Sequence, residues 1–242
     1  MFQLIEDINW KKREVSPEAR QWLIDKYDAS ILYNDRAIGD LLAGLEDQGL
    51  ADDTIVVVLS DHGEEFMEHG ELSHGGIHLN EEIIRTVGII HDPGQETVAT
   101  IARPLSQVDM FPSLCIMAGA SDIPESWKKR SFSGLVSPGS LPVPEESPVF
   151  CHGKFKIATR HLNHKYIKTQ PSPVLGAVPR LKLMAKMLLR RELKSEIYDL
   201  QKDHLETENL IGNGELRKKL GIILKEHLSD TESSLTAISA DA

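Results

Sequence analysis

Cysteine is nearly absent. Cys115 and Cys151 are the only two in 242 residues, which excludes a disulfide framework. Both read as buried thiols, because a free cysteine packs as a small hydrophobe. Positive charge is also short. Lys and Arg number 27 against 37 Asp and Glu, a net charge of −10, whereas a general nucleic-acid binder needs a basic face for phosphates. No apolar run reaches the roughly 18 residues needed to span a bilayer. The opening MFQLIEDINWKKREV lacks the charged start and long apolar centre of a signal peptide. Neither nucleic acid nor membrane is therefore expected as a partner, and the cytoplasm is the default compartment. No internal repeat is visible.

What remains is the composition of an ordinary globular protein, 40% hydrophobic and 26% charged. The length suits one large domain, or a domain with an appendage. Ser16-Pro17 predicts a helix start, with Ser16 as N-cap, Pro17 in the first helical position and Glu18 in the first turn. Trp22, Leu23, Tyr27, Ile31, Ile38, Leu41, Leu42 and Leu45 recur mostly at helical spacing. Gly49 is placed to end that helix. Thr54 to Leu59 is short, β-branched and apolar, the pattern of a strand covered on both faces in a parallel sheet. Val87 to Ile90 reads as the next strand and Val108 to Ala118 as a helix.

From Ser121 to Pro148 the chain is rich in Pro, Ser and Gly and reads as a long surface loop. Beyond it, Val149–Cys151, Phe155–Ala158, Lys165–Lys168 and Ile197–Leu200 predict a small antiparallel sheet, closed by a helix from Glu215 to Leu228. The basic stretch RLKLMAKMLLRRELK, Arg180 to Lys194, reads as an amphipathic helix or an insertion packed on that sheet. Residues 229–242 are small and polar, the composition of a disordered tail.

The chemistry gathers in LSDHGEEFMEHGELSHGG, Leu59 to Gly76, directly after the apolar run IVVVL. In open α/β sheets ligands bind outside the carboxyl ends of strands. Asp61 and His62 stand there as oxygen and imidazole donors suited to a divalent cation. Neighbours on a strand point to opposite sides, so they share one ion only if the backbone turns, and Gly63 permits the turn. His69 and His74 follow, each with a glycine after it. Glu64, Glu65, Glu68 and Glu71 read as a solvated face. His78 reads as a residue near the start of the helix LNEEIIR, and Glu81, Glu82 and Arg85 as exposed ion-pairing groups of little energetic weight.

SDHGEEFMEHGELSHGG followed by LNEEIIRTVGIIHDPG resembles the sulfatase family of the alkaline-phosphatase-like superfamily. That family shows a Ser/Thr-Asp-His/Asn-Gly-Glu strand end, a Glu-His-Gly loop followed by Lys or His, and an E-E-x-x-R-x-P-x-I-I run; here Val87 stands in place of the proline. YNDRAIGDLLAGLEDQGLADDTIVVVLSDHGE, QVDMFPSLCIMAGA and IYDLQKDHLETENLIG are similar to its long helix, a later helix and its C-terminal strand and turn. The resemblance implies an α/β fold: part of an alkaline-phosphatase-like sandwich, a mostly parallel sheet between helices, with a small C-terminal antiparallel sheet and a closing helix. Residues 1–120 would be the later part of the catalytic domain, 121–148 a loop and 149–228 a small C-terminal α+β subdomain.

The resemblance also implies a metal-dependent sulfuric ester hydrolase. Asp61 and His62 would be metal ligands. His74 would contact the sulfate oxygens and protonate the leaving alkoxide, as a side chain that titrates near neutrality can. His69 would orient a ligand by hydrogen bonding. Calcium is the implied ion; a histidine among the ligands leaves Mg2+, Mn2+ and Zn2+ open. The family nucleophile sits in Cys-x-Pro-x-Arg. Here Cys115 precedes IMAG, Cys151 precedes HGKF, and Thr169-Gln170-Pro171-Ser172-Pro173 lacks the arginine. No apolar strand with an Asp-Asp end lies before residue 50. The expectation is an incomplete chain, inactive alone, whose partners are a sulfate-ester or phosphate-ester substrate and either a missing N-terminal half or a second copy. Two alternatives remain: a relative of phosphodiesterases, phosphonate hydrolases or phosphoethanolamine transferases, and a degenerate non-catalytic module.

Overall fold

The computed structural model of the chain describes residues 2–9, 13–74, 78–95, 98, 100–136, 147–153, 155–170 and 194–240. A short helix α1 (Phe2–Asn9) precedes the long α2 (Pro17–Asp47). The start of α2 follows from its sequence: Ser16 Oγ accepts a hydrogen bond from the Ala19 amide at 3.2 Å, and Pro17 opens the helix with no N–H to satisfy. Gly49, with φ of +68°, turns the chain away from its end. Yet none of the 31 residues of α2 is buried. Trp22, Ile31, Leu32, Tyr33 and Leu41 are all more than half exposed.

After α2 come β1 (Val56–Leu59), the histidine-rich loop, the single-turn helix α3 (Glu81–Ile84) and β2 (Gly88–His91). β1 and β2 pair antiparallel, Val56 opposite His91 and Leu59 opposite Gly88. This corrects the expectation of parallel pairing for this run. The connection leaves and returns at the same end of the pair: the Ser60 amide donates to the Val87 carbonyl at 3.2 Å, and Ser60 Oγ accepts from the Val87 amide at 2.9 Å. A parallel pair needs a crossover to the opposite end, usually a helix, and α3 has four residues. Neither strand contains a fully buried residue.

A 3-10 turn at Gln107–Asp109 leads into α4 (Met110–Met117). Within the expected loop the chain forms two further turns, α5 (Glu125–Lys128) and α6 (Ser133–Val136). The reason is local packing: Phe132 is 2% exposed, and its amide donates to Ser113 Oγ of α4 at 2.9 Å. Residues 137–146 of that loop, and 180–193 of the basic stretch, lie outside the described residues.

The core sits in the C-terminal part. β3 (Val149–His152), β4 (Lys156–His161), β5 (His164–Thr169) and β6 (Glu196–Asp199) form a sheet in that order, every pair antiparallel. Alternation along the strands covers both faces. Ile157, Tyr166 and Ile197 meet Leu220, Leu224 and Leu228 of α7 (Gly214–Ala240), which recur at helical spacing. Ala158, Ile167 and Tyr198 meet Leu79 and Ile84 on the other face. Ile157, Ile167 and Ile197 are fully buried, each contributing about 1.5–3 kcal/mol. Cys115 and Cys151 are free and half-buried; burial pushes the Cys151 thiol up, with Lys165 opposing.

α7 runs on to Ala240, which corrects the expected disordered tail from residue 229. Thr231 and Ser233 donate their hydroxyls to the carbonyls of His227 and Ser229 at 2.8 Å, so they do not compete for the helical amides. Extending an existing helix costs far less than nucleating one.

Candidate functional site

The site begins where β1 ends. At Gly63 the chain turns, its amide donating to the Ile83 carbonyl at 2.7 Å. A Cβ there would lie 2.1 Å from the Glu82 carbonyl oxygen, so the close approach of loop and α3 requires glycine. The turn brings strand neighbours to the same side. His62 Nε2 lies 3.5 Å from Asp61 Oδ2, and Asp61 Oδ1 accepts from the His62 amide at 2.9 Å. The Asp61 side chain is 88% exposed. Gln107 Nε2 donates to the Ser60 carbonyl at 2.6 Å and ties the strand end to the segment before α4.

The loop returns His74 to this point. Its ring centroid is 4.1 Å from that of His62, and its Nδ1 is 2.8 Å from Glu64 Oε2. His62, Glu64 and His74 each offer a ligand atom within 4.8 Å of the others. The structure thus gathers His62 and His74 with Glu64, while Asp61 meets His62 and stands outside that group. It does not bring His69 with them: His69 Nε2 lies 3.3 Å from Glu82 Oε2, in a separate group with Glu82 and Glu206.

Two of the loop carboxylates are internal, which corrects their reading as a solvated face. Glu65 is fully buried and Glu71 is 4% exposed. Glu65 Oε1 accepts from the amides of His69 at 3.0 Å and Glu71 at 2.9 Å, and Oε2 meets His78 Nδ1 at 2.8 Å. Burial raises the Glu65 carboxyl, but the His78 imidazole and the two amides outweigh it, so the net shift is downward. Burial likewise lowers His78, and the charges of Glu65 and Glu71 reverse that to a net rise. His78 is therefore the counter-ion of the carboxylate around which the loop folds. Nor does it begin α3; Asn80 precedes the helix.

α3 is fixed from the C-terminal sheet. Glu81 meets Arg160 Nη1 and Lys165 Nζ, each at 3.1 Å. Lys165 Nζ also meets Glu206 Oε1 at 2.8 Å, both side chains wholly buried, and Glu206 Oε2 accepts from the Glu81 amide at 2.6 Å. Burial pushes Glu206 up despite Lys165 beside it. These are not exposed ion pairs of little weight. They clamp α3 to β4 and β5, and α3 in turn holds Gly63 and His69. From the other side, Asn9 of α1 exchanges two hydrogen bonds with the Leu72 backbone, at 2.9 and 2.7 Å. Arg20 of α2 donates to the Phe66 carbonyl and pairs with Glu68 at 2.7 Å. Asp61 and His62 open onto a cleft of about 1380 Å³ that also reaches Arg160 and Lys165.

The strand-end position in the sequence pointed to Asp61 and His62, and the resemblance to the sulfatases to His74. Both missed Glu64, Glu65 and Gln107, whose roles depend on how the loop closes.

Helices, strand-end loop and two antiparallel sheets make an α/β fold, and the solved structures that share it have the alkaline-phosphatase-like fold. Residues 7–120, just under half of the chain, match the sulfatase family model. It is 26% identical to an arylsulfatase of Clostridium perfringens (strain 13 / Type A) over 231 residues, 94% of this chain and 44% of that protein. It is 32% identical to iduronate 2-sulfatase of Homo sapiens over 160 residues, 60% of this chain and 28% of that protein. The chain thus spans less than half the length of these relatives. Its fold is shared with a Bacteroides thetaiotaomicron protein assigned to the sulfatases (TM-score 0.67, 18% identity, 96% of this chain and 46% of that one). It is shared too with the phosphonate monoester hydrolase of Agrobacterium radiobacter (TM-score 0.65, 19% identity, 91% and 43%). Among the described residues no helix is long and apolar enough to cross a membrane.

Proposed function

We propose that this chain contributes one half of the site of a metal-dependent sulfate-ester hydrolase, and that the 242-residue polypeptide alone does not turn over. The observation that carries the reading is the meeting of His62, Glu64 and His74 just past the end of β1, with the two imidazoles 4.1 Å apart and Asp61 Oδ2 at 3.5 Å from His62 Nε2. Covalent catalysis needs an activated nucleophile, and no Cys-, Ser- or Thr-x-Pro-x-Arg segment occurs in the sequence.

The donor set fits a divalent cation. Asp61 Oδ2 and His62 Nε2 face each other and would hold it; when bound, such an ion neutralises the charged oxygens of the ester and the nucleophile. Two imidazoles beside the Glu64 carboxylate, with Asp61 next to His62, suit zinc better than calcium, which takes six to eight oxygens. His74 holds a proton for the leaving alkoxide, and Glu64 at 2.8 Å fixes its ring. Gly63, α3 and the buried Glu65–His78 pair keep these groups in register.

Hydrolysis of a phosphate or phosphonate ester is the second reading, favoured by the fold shared with the Agrobacterium hydrolase. The test is to co-express the chain with a polypeptide supplying a Cys- or Ser-x-Pro-x-Arg strand and to assay aryl sulfate and aryl phosphate. Sulfate turnover abolished by Asp61→Ala and reduced at least 100-fold by His74→Ala supports the first reading. Preference for phosphate supports the second. A stable complex inert toward both esters overturns both and leaves a non-catalytic module.

A further inference from the structure

A titratable pair far along the chain from the strand-end loop lies where β3 meets α7. His152 ends β3 and His227 lies on α7, 75 residues away, yet their Nε2 atoms are 2.9 Å apart. The His227 ring is held flat against Phe150, centroids 3.7 Å apart and planes within 5°. His152 is tilted 60° to His227, so the ring planes do not stack and the two nitrogens point at one another. Both rings are half-buried, and His152 lines the open cleft, which leaves a path for a small ion.

From this geometry we propose that His152 and His227 form a second cation site, independent of Asp61 and His62, that takes a borderline transition metal such as zinc or nickel. Imidazole nitrogen is the donor these ions prefer, and calcium and magnesium do not. Two nitrogens each about 2.0 Å from one tetrahedral ion stand roughly 3.3 Å apart. The pair reaches that separation by opening about 0.4 Å, which a small rotation of the His152 ring supplies while His227 stays on Phe150. Water completes the coordination.

The surrounding charges are mixed. Asp230, one turn further along α7, favours a cation beside His227, and Arg130 opposes it. Arg130 is itself held by Asp109 at 2.7 Å. Burial lowers both imidazoles, His152 by that cause alone and His227 with help from His152 and Arg130. Neutral rings at physiological pH are the metal-binding form, so little proton release opposes binding. A metal there joins β3 to α7, the helix that closes the core.

Zinc titration of the 242-residue chain tests this, in wild type, in Asp61→Ala/His62→Ala/His74→Ala, and in His152→Asn and His227→Asn, by calorimetry and by thermal unfolding. Zinc binding and an upward shift of Tm persist in the triple variant. Affinity falls at least tenfold in each single variant. Since His227→Asn removes the stack on Phe150 and can disturb folding, imidazole NMR of the triple variant supplies the second arm: the ring signals of His152 and His227 shift together on zinc addition, saturating at one equivalent. Loss of all zinc binding in the triple variant, or unmoved His152 and His227 signals, overturns the site and reduces the pair to an N–H···N hydrogen bond. Neither result bears on sulfate-ester turnover, which is tested by the co-expression assay.

Discussion

Gly63 and Glu82 approach so closely that a Cβ on Gly63 would stand 2.1 Å from the Glu82 carbonyl oxygen. The obstacle is backbone, with no side chain that can swing aside. Gly63→Ala therefore forces the loop away from α3, at a cost typical of overpacking, about 1–3 kcal/mol. Urea denaturation reads this directly, and the His62–His74 ring contact should loosen with it. An alanine variant as stable as wild type would mean that the turn relaxes at no cost.

Glu65 is the residue around which the loop closes, and His78 is its counter-ion. Removing one partner of a buried pair leaves the other charge uncompensated, so His78→Gln should destabilise by roughly 3 kcal/mol. The pair also predicts a pH window. Glu65 is lowered from 4.5, so its contribution is present above that value and is lost as pH falls through the folded pKa. His78 is raised from 6.5, so its contribution is present below that value and is lost as pH rises through the folded pKa. The difference in unfolding free energy between wild type and His78→Gln should peak between 4.5 and 6.5 and shrink on both sides. A difference that is flat with pH would show that the pair is not ionic.

The apolar face of α2 and the free edges of β1 and β2 carry the third prediction. None of the residues of α2 is buried, and among the described residues β1 pairs with β2 alone. Exposed apolar surface on this scale marks an interaction site. The purified chain should self-associate in sedimentation velocity, and Trp22→Gln/Tyr33→Gln/Leu41→Gln should shift it toward monomer. A monodisperse wild-type monomer that binds no hydrophobic dye would contradict this.

What the sequence revealed follows from how local each signal is. Ser16-Pro17, Gly49, the four C-terminal strands and the start of α7 rest on capping, turn and alternation rules that act within a few residues, and the elements appear there. The direction of β2 was not legible, because an apolar run does not encode where the intervening loop returns. Composition alone also does not say which of five neighbouring carboxylates turns inward. That depends on a backbone path with left-handed turns at Met67 (φ 73°) and Ser73 (φ 75°), neither of them glycine. Glu81 looked like a surface residue of a short helix, since its partners Arg160, Lys165 and Glu206 lie far along the chain.

Calcium should bind weakly. Asp61 is a single exposed carboxylate, His62 and His74 are poor calcium donors, and water must supply most of the ligands. Calorimetry should find no calcium site tighter than roughly 1 mM, about −4.1 kcal/mol. A micromolar calcium site lost in Asp61→Asn would mean that the chain, as monomer or assembly, builds a complete oxygen cage.

The most direct measurement is hydrolysis of an aryl sulfate by the purified 242-residue chain, with calcium, manganese or zinc supplied in turn. With no nucleophile motif in the sequence, the rate should equal that of buffer and of the Asp61→Ala variant. Metal-dependent turnover that survives stringent purification and disappears in Asp61→Ala would contradict the account, because it would place a complete catalytic site within this chain.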